Sequence, residues 1–147
     1  MKKQIKKENY GKAYILIADR PDFFGIDAEV SLYSTKGKAR KAAEKAAKKA
    51  YLAIEIKKVN IADKPDGNQQ DYLWLSTDEA VDNDMDYALF HNKKIAEDYL
   101  ACRFVQALKA YGLNETDKDK IKKDVSSFMI EGTSCNCYGK IIKLKLN

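Results

Sequence analysis

The stretch Val30-Ser31-Leu32-Tyr33-Ser34-Thr35-Lys36-Gly37-Lys38-Ala39 decides how this chain is read. Val30 and Leu32 alternate with Ser31, the period of a half-buried strand. Ser34-Thr35 then supplies hydroxyls that stop the strand and cap a helix. Beyond them Ala39, Ala42, Ala43, Ala46, Ala47 and Ala50 fall within one arc at helical spacing, and Arg40, Lys41, Glu44, Lys45, Lys48 and Lys49 occupy the rest. The pattern predicts a strand over Asp27–Tyr33 and a helix over Lys36–Tyr51. An alanine face lets such a helix sit close to a sheet.

Working upstream, Ala13–Asp19 (AYILIAD) is apolar on both faces, as a central strand is. Arg20-Pro21-Asp22 and Gly25 supply turn signals, so the two strands read as a hairpin. Downstream, Ala53–Ile61 reads as a strand whose apolar alternation changes phase between Ile56 and Val59, which predicts a bulge near Lys57-Lys58. Asp63-Lys64-Pro65-Asp66-Gly67-Asn68 is the strongest loop signal and the one candidate subdomain break, at 62–70. Asp71–Leu75 (DYLWL) returns to strand, and Ser76-Thr77-Asp78-Glu79 has the spacing of a capping box opening a short helix. A long helix is expected from Asn92 to Tyr111, apolar around most of its circumference and ended by Gly112. Thr116 to Gly132 reads as a further helix with Ile121, Val125, Phe128 and Met129 at core spacing. Gly139–Leu146 (GKIIKLKL) is a terminal strand with Ile142, Leu144 and Leu146 inward and Lys143 and Lys145 outward.

The fold class expected is therefore α+β: a single domain over residues 13–147, with a mostly antiparallel sheet of about five strands covered by three to four helices. A basic flexible tail over residues 1–12 precedes it. The alternative is two small ββα/βα halves sharing one sheet. The stretch VSLYSTKGKA (30–39) is echoed by DYLWLSTDEA (71–80), but capping alone favours Ser-Thr at a strand–helix junction, so the echo is weak evidence of duplication.

At 147 residues, 45% hydrophobic and 33% charged, the chain can bury a core, which excludes wholesale disorder. It has no run of 18 apolar residues and no apolar stretch after its basic N-terminus, so neither a membrane span nor a secretory signal is expected. Three cysteines without a signal predict reduced thiols and a cytoplasmic location.

The net charge of +5 is unevenly spread: +8 over residues 1–60 (15 Lys/Arg, 7 Asp/Glu), −7 over 61–100 (3 against 10) and +4 over 101–147 (9 against 5). Only Arg20, Arg40 and Arg103 are arginine, so sequence-specific reading of bases is disfavoured.

Motifs for chemistry are scarce. Cys102, Cys135, Cys137 and His91 suggest a zinc site, but a helix between His91 and Cys102 would separate them by about 16 Å. The D-x-D-x-D run at Asp82, Asp84 and Asp86 lacks the glycine and glutamate of a calcium loop. The single histidine removes most acid–base schemes at neutral pH. No metal, cofactor or catalytic residue is assigned. Two surfaces remain. Asp78, Glu79, Asp82, Asp84 and Asp86, with Tyr72 and Trp74 as anchors, form a candidate protein-docking patch. Lys36, Lys38, Arg40, Lys41, Lys45, Lys48 and Lys49 form a candidate anion or nucleic-acid surface. The reading is a non-enzymatic, intracellular binding protein acting by protein–protein contact, such as a small inhibitor or adaptor of phage or mobile-element type. The alternative is a nucleic-acid module without sequence specificity, using the lysine-rich helix face together with the N-terminal lysines and Lys140, Lys143 and Lys145.

Overall fold

The computed structural model describes residues 10–19, 29–49, 53–65, 67, 70–78, 85–110, 112, 121–123, 127–130 and 138–147. In chain order the elements are β1 (Lys12–Asp19), β2 (Glu29–Tyr33), α1 (Lys36–Ala47), β3 (Ala53–Asn60), β4 (Tyr72–Asp78), β5 (Asp86–Phe90), α2 (Lys93–Ala110), β6 (Ile121–Lys123), β7 (Ser127–Ile130) and β8 (Tyr138–Lys145).

The strands form two sheets. One is β2-β1-β3, and the other is β5-β4-β8 extended by β7 and β6. Every strand pair is antiparallel. One sheet of about five strands under three to four helices is therefore not what forms. The protein is mostly sheet, with two helices among the described residues. Where two further helices are expected, the described residues are strand. The capping box at Ser76-Thr77-Asp78 is the end of β4, because those residues pair with both β5 and β8. The helix expected over Thr116–Gly132 gives way to β6 and β7, where pairing with β8 overrides helical spacing.

The bulge at Lys57-Lys58 does not form either. β3 pairs with β1 without interruption from Lys12↔Asn60 to Asp19↔Ala53. The phase change has another cause. Ile54 and Ile56 share the face of β3 that α1 covers, whereas Val59 and Ile61 lie on the opposite face, against the other sheet. At the N-terminus, Tyr10 and Gly11 already exchange backbone hydrogen bonds with Ile61.

The layers run α1, first sheet, second sheet, α2. Between the sheets lies one apolar cluster, with Ile15, Leu32, Leu75 and Leu89 fully buried at its centre and Leu73 and Leu144 around them. A second cluster, Ala88, Phe90, Ala96 and Tyr99, joins the outer face of the second sheet to α2. α2 ends as expected at Gly112, whose φ of +68° suits glycine and whose N–H donates to the Lys109 carbonyl.

Apart from the β6–β7 pair inserted between α2 and β8, the two halves have the same ββαβ path. In each, the first strand is central, the second pairs on one side of it, and the last returns through a helix to the other side. The registers coincide. Ile15 pairs with Leu32 and Lys57, and Leu75 pairs with Leu89 and Ile142. The halves even close on each other symmetrically, through parallel bridges Leu32↔Leu146 and Ile61↔Leu89. The Asn147 N–H donates to the Leu32 carbonyl as the Ala62 N–H does to that of Leu89. The segment equivalent to EVSLYSTKGKA (29–39) is thus DYALFHNKKIA (86–96), not DYLWLSTDEA, which belongs to the first strand of its half.

Candidate cationic helix and cleft

α1 starts where Thr35 accepts a hydrogen bond from the Lys38 N–H at 3.2 Å, and α2 where Asn92 accepts from Lys94 and Ile95. Ala39 and the equivalent Ala96 are both fully buried, which lets each helix approach its sheet closely. From there the helices diverge. α2 continues with Tyr99, Leu100, Cys102, Phe104 and Ala107 buried. α1 has Ala42, Ala43 and Ala46 half-buried, and its remaining long side chains are charged and exposed.

Lys36, Lys38, Arg40, Lys41, Lys45, Lys48 and Lys49 are all exposed, and none is in an ion pair among the described residues. Among the described residues, Lys38 Nζ bonds the Ser34 hydroxyl, at 3.3 Å. The first turn of α1 holds no acid to offset its helix dipole. α2 also opens on two lysines, Lys93 and Lys94, but pairs them with Glu97 and Asp98 one turn on. The α1 positions equivalent to those acids are Arg40 and Lys41. Lys38, Lys41 and Lys45 project within an arc of about 60° on α1, and Lys48 and Lys49 follow just past its end.

That arc borders a cleft of about 590 Å³ between α1 and the outer face of the first sheet. Leu16 and Ala18 form its floor, Ala42 and Ala46 its helical wall, and Lys45 and Lys49 its rim. In the second half the equivalent space is filled. Tyr99 stands where α1 has Ala42, and Arg103 where it has Ala46. Asp78 and Asp86, directly opposite each other across β4 and β5, take the places of Ala18 and Glu29. Arg103 donates to both Asp78 carboxylate oxygens at 2.9 Å and lies 3.8 Å from Asp86, which accepts from the Tyr99 hydroxyl at 2.6 Å. Burial and then Asp86 push the Tyr99 hydroxyl far above its ordinary range. Burial works against the charge of Arg103, but the Asp78 bonds and the nearby carboxylates outweigh it and hold its pKa above normal.

This network takes Asp78 out of the acidic patch expected from sequence. Asp78 is fully buried and bonded to Arg103, so it offers a partner no surface. Asp86 is half-buried in the same network, and Glu79, Asp82 and Asp84 lie outside the described residues. Tyr72 and Trp74 are half-buried edge-to-face neighbours at 6.1 Å, with Lys143 over Tyr72 at 4.1 Å and Lys93 over Trp74 at 5.2 Å. Trp74 also packs against the second cluster.

Lys143 lies on the α2 side of the second sheet, opposite in the layer order to α1, so the structure does not merge it with the helix lysines. The N-terminal lysines before Tyr10 lie outside the described residues. His91 is held before α2 by the buried Asp63, which accepts from the His91 and Asn92 N–H groups at 2.6 and 2.8 Å. Cys102 is buried on α2, and Cys135 and Cys137 lie outside the described residues. No group of three or more His, Cys, Asp or Glu side chains able to hold a metal occurs among the described residues. Nor is any helix among them long and apolar enough to cross a membrane.

Sequence reasoning missed Tyr99, Arg103 and the cleft. The usable signal was the repeat itself, since Leu32/Leu89, Lys36/Lys93 and Ala39/Ala96 recur at one constant offset. In comparisons with protein families, curated proteins and solved structures, nothing matches this chain.

Proposed function

We propose that this is a non-enzymatic binding protein that docks an acidic protein partner on the cationic face of α1. One observation carries the reading. At matched positions of two equivalent helices, α2 neutralises its first-turn lysines with Glu97 and Asp98, while α1 adds Arg40 and Lys41. Folding an α1-type helix does not need that excess, because repulsion along it costs stability. A surface maintained against that cost suits an external anionic group. The cleft beside the lysines, with Leu16, Ala18, Ala42 and Ala46 on its floor and wall, favours a protein over a nucleic acid, since phosphate backbones need charge and no apolar recess.

The test is affinity capture from the native host with nuclease present, using the wild type, Lys41→Glu/Lys45→Glu, and the control Lys94→Glu/Lys109→Glu on α2. The expected result is one identified acidic protein, retained by the wild type and the control and lost by the α1 variant. Recovery that depends on nucleic acid, or that survives the α1 reversal, would refute the reading.

A further inference from the structure

We infer that the cleft beneath α1 receives an aromatic side chain from an acidic segment of the protein partner, an inference that rests on the reading above and adds what the partner must present. The second half of the molecule serves as the template. There the gap between helix and sheet is plugged by the Tyr99 ring, which packs against Phe90 with ring centroids 5.3 Å apart. The equivalent first-half position is Ala42, one turn before Ala46, and both line the open cleft. Sheet and helix backbones follow the same registers in the two halves, so the missing volume is that of side chains, with Ala42 and Ala46 in place of Tyr99 and Arg103.

The chemistry of the walls narrows the occupant. The β1 part of the floor is apolar, with Leu16 and Ala18 where β4 has Ser76 and Asp78, while β2 adds Tyr33, Ser31 and the exposed Glu29. It therefore suits a ring rather than a charged head group. Tyr33, the equivalent of the Phe90 that packs on Tyr99, also lines the cleft and offers an aromatic neighbour. Lys45 and Lys49 stand at the rim with no ionic partner among the described residues. They complement carboxylates that flank the ring in sequence. An aromatic anchor in a recess bounded by charge is how few residues come to carry most of an interface's affinity.

The experiment uses the full chain with its alanine methyl groups isotope-labelled for NMR. It is titrated separately with the peptides Glu-Glu-Tyr-Glu-Glu and Glu-Glu-Ala-Glu-Glu and with single-stranded oligothymidylate. The tyrosine peptide is expected to shift the Ala42 and Ala46 methyls and to bind about tenfold more tightly than the alanine peptide. Ala42→Tyr, which copies the plug of the other half, should abolish that preference while leaving the alanine peptide's binding intact. Ala46→Met narrows the same cleft and serves if Ala42→Tyr does not fold. Equal binding of both peptides in the wild type, lost in Lys41→Glu/Lys45→Glu, would overturn the cleft inference and leave the cationic surface standing. A tyrosine preference that survives cleft filling would also overturn it. If neither peptide perturbs α1, both readings fall. Binding of oligothymidylate without either peptide would reassign α1 to nucleic acid and overturn both.

Discussion

The α1 half and the α2 half share a backbone path and differ in what their helices do with it. Both set a first strand between two antiparallel partners, cap a helix with a short polar side chain, and bury an alanine where the helix first meets the sheet. The α2 half then fills its helix–sheet gap with Tyr99, Arg103 and two aspartates, and pairs its surface lysines with acids. The α1 half leaves the gap open and its lysines unpaired among the described residues. A duplicated architecture thus separates what the fold requires from what it merely tolerates. Features present in both halves are structural, and those confined to one invite a functional account.

The largest expected effect breaks the filled side. Arg103→Leu leaves Asp78 buried and Asp86 beside it without their cation, and should cost about 3–5 kcal/mol in urea denaturation. A loss under about 1 kcal/mol would mean that the network contributes little to holding α2 on its sheet. The matched pair Leu32→Ala and Leu89→Ala sharpens the equivalence. Both side chains are fully buried in the cluster between the sheets, so each variant should lose about 2–5 kcal/mol, and the two should be alike. Strongly unequal denaturation midpoints would show that the halves are unequally committed to the shared core.

The smallest effect has the opposite sign. Lys41→Glu gives α1 an acid where α2 carries Asp98, one turn before Lys45. It should stabilise the protein by about 0.2–0.5 kcal/mol in low-salt thermal unfolding. The same variant should weaken binding to the acidic peptides. Stabilisation with undiminished binding would detach the cationic helix from function.

Much of the local structure was legible. The alternation of Ile142, Leu144 and Leu146 with Lys143 and Lys145 located β8 and its inward face, because a strand's side-chain period survives whatever it packs on. Thr35 announced α1 because its hydroxyl satisfies an N–H that any helix start leaves free. β5 was not legible: DYALF is five residues long and runs straight into the capped turn of α2. The acids at Asp78 and Asp86 read as surface because nothing nearby in sequence marks Arg103, on α2, as their partner.

By itself, then, the sequence determined where strands alternate, where helices are capped, and which way the charge is divided, since these depend on neighbours a few residues apart. Only the tertiary structure decided that the strands sort into two sheets, that Asp78 is buried, and that a cleft opens beneath Ala42 but not beside Tyr99. Those outcomes depend on side chains tens of residues apart competing for the same space, and that competition is settled only when both halves close on one core.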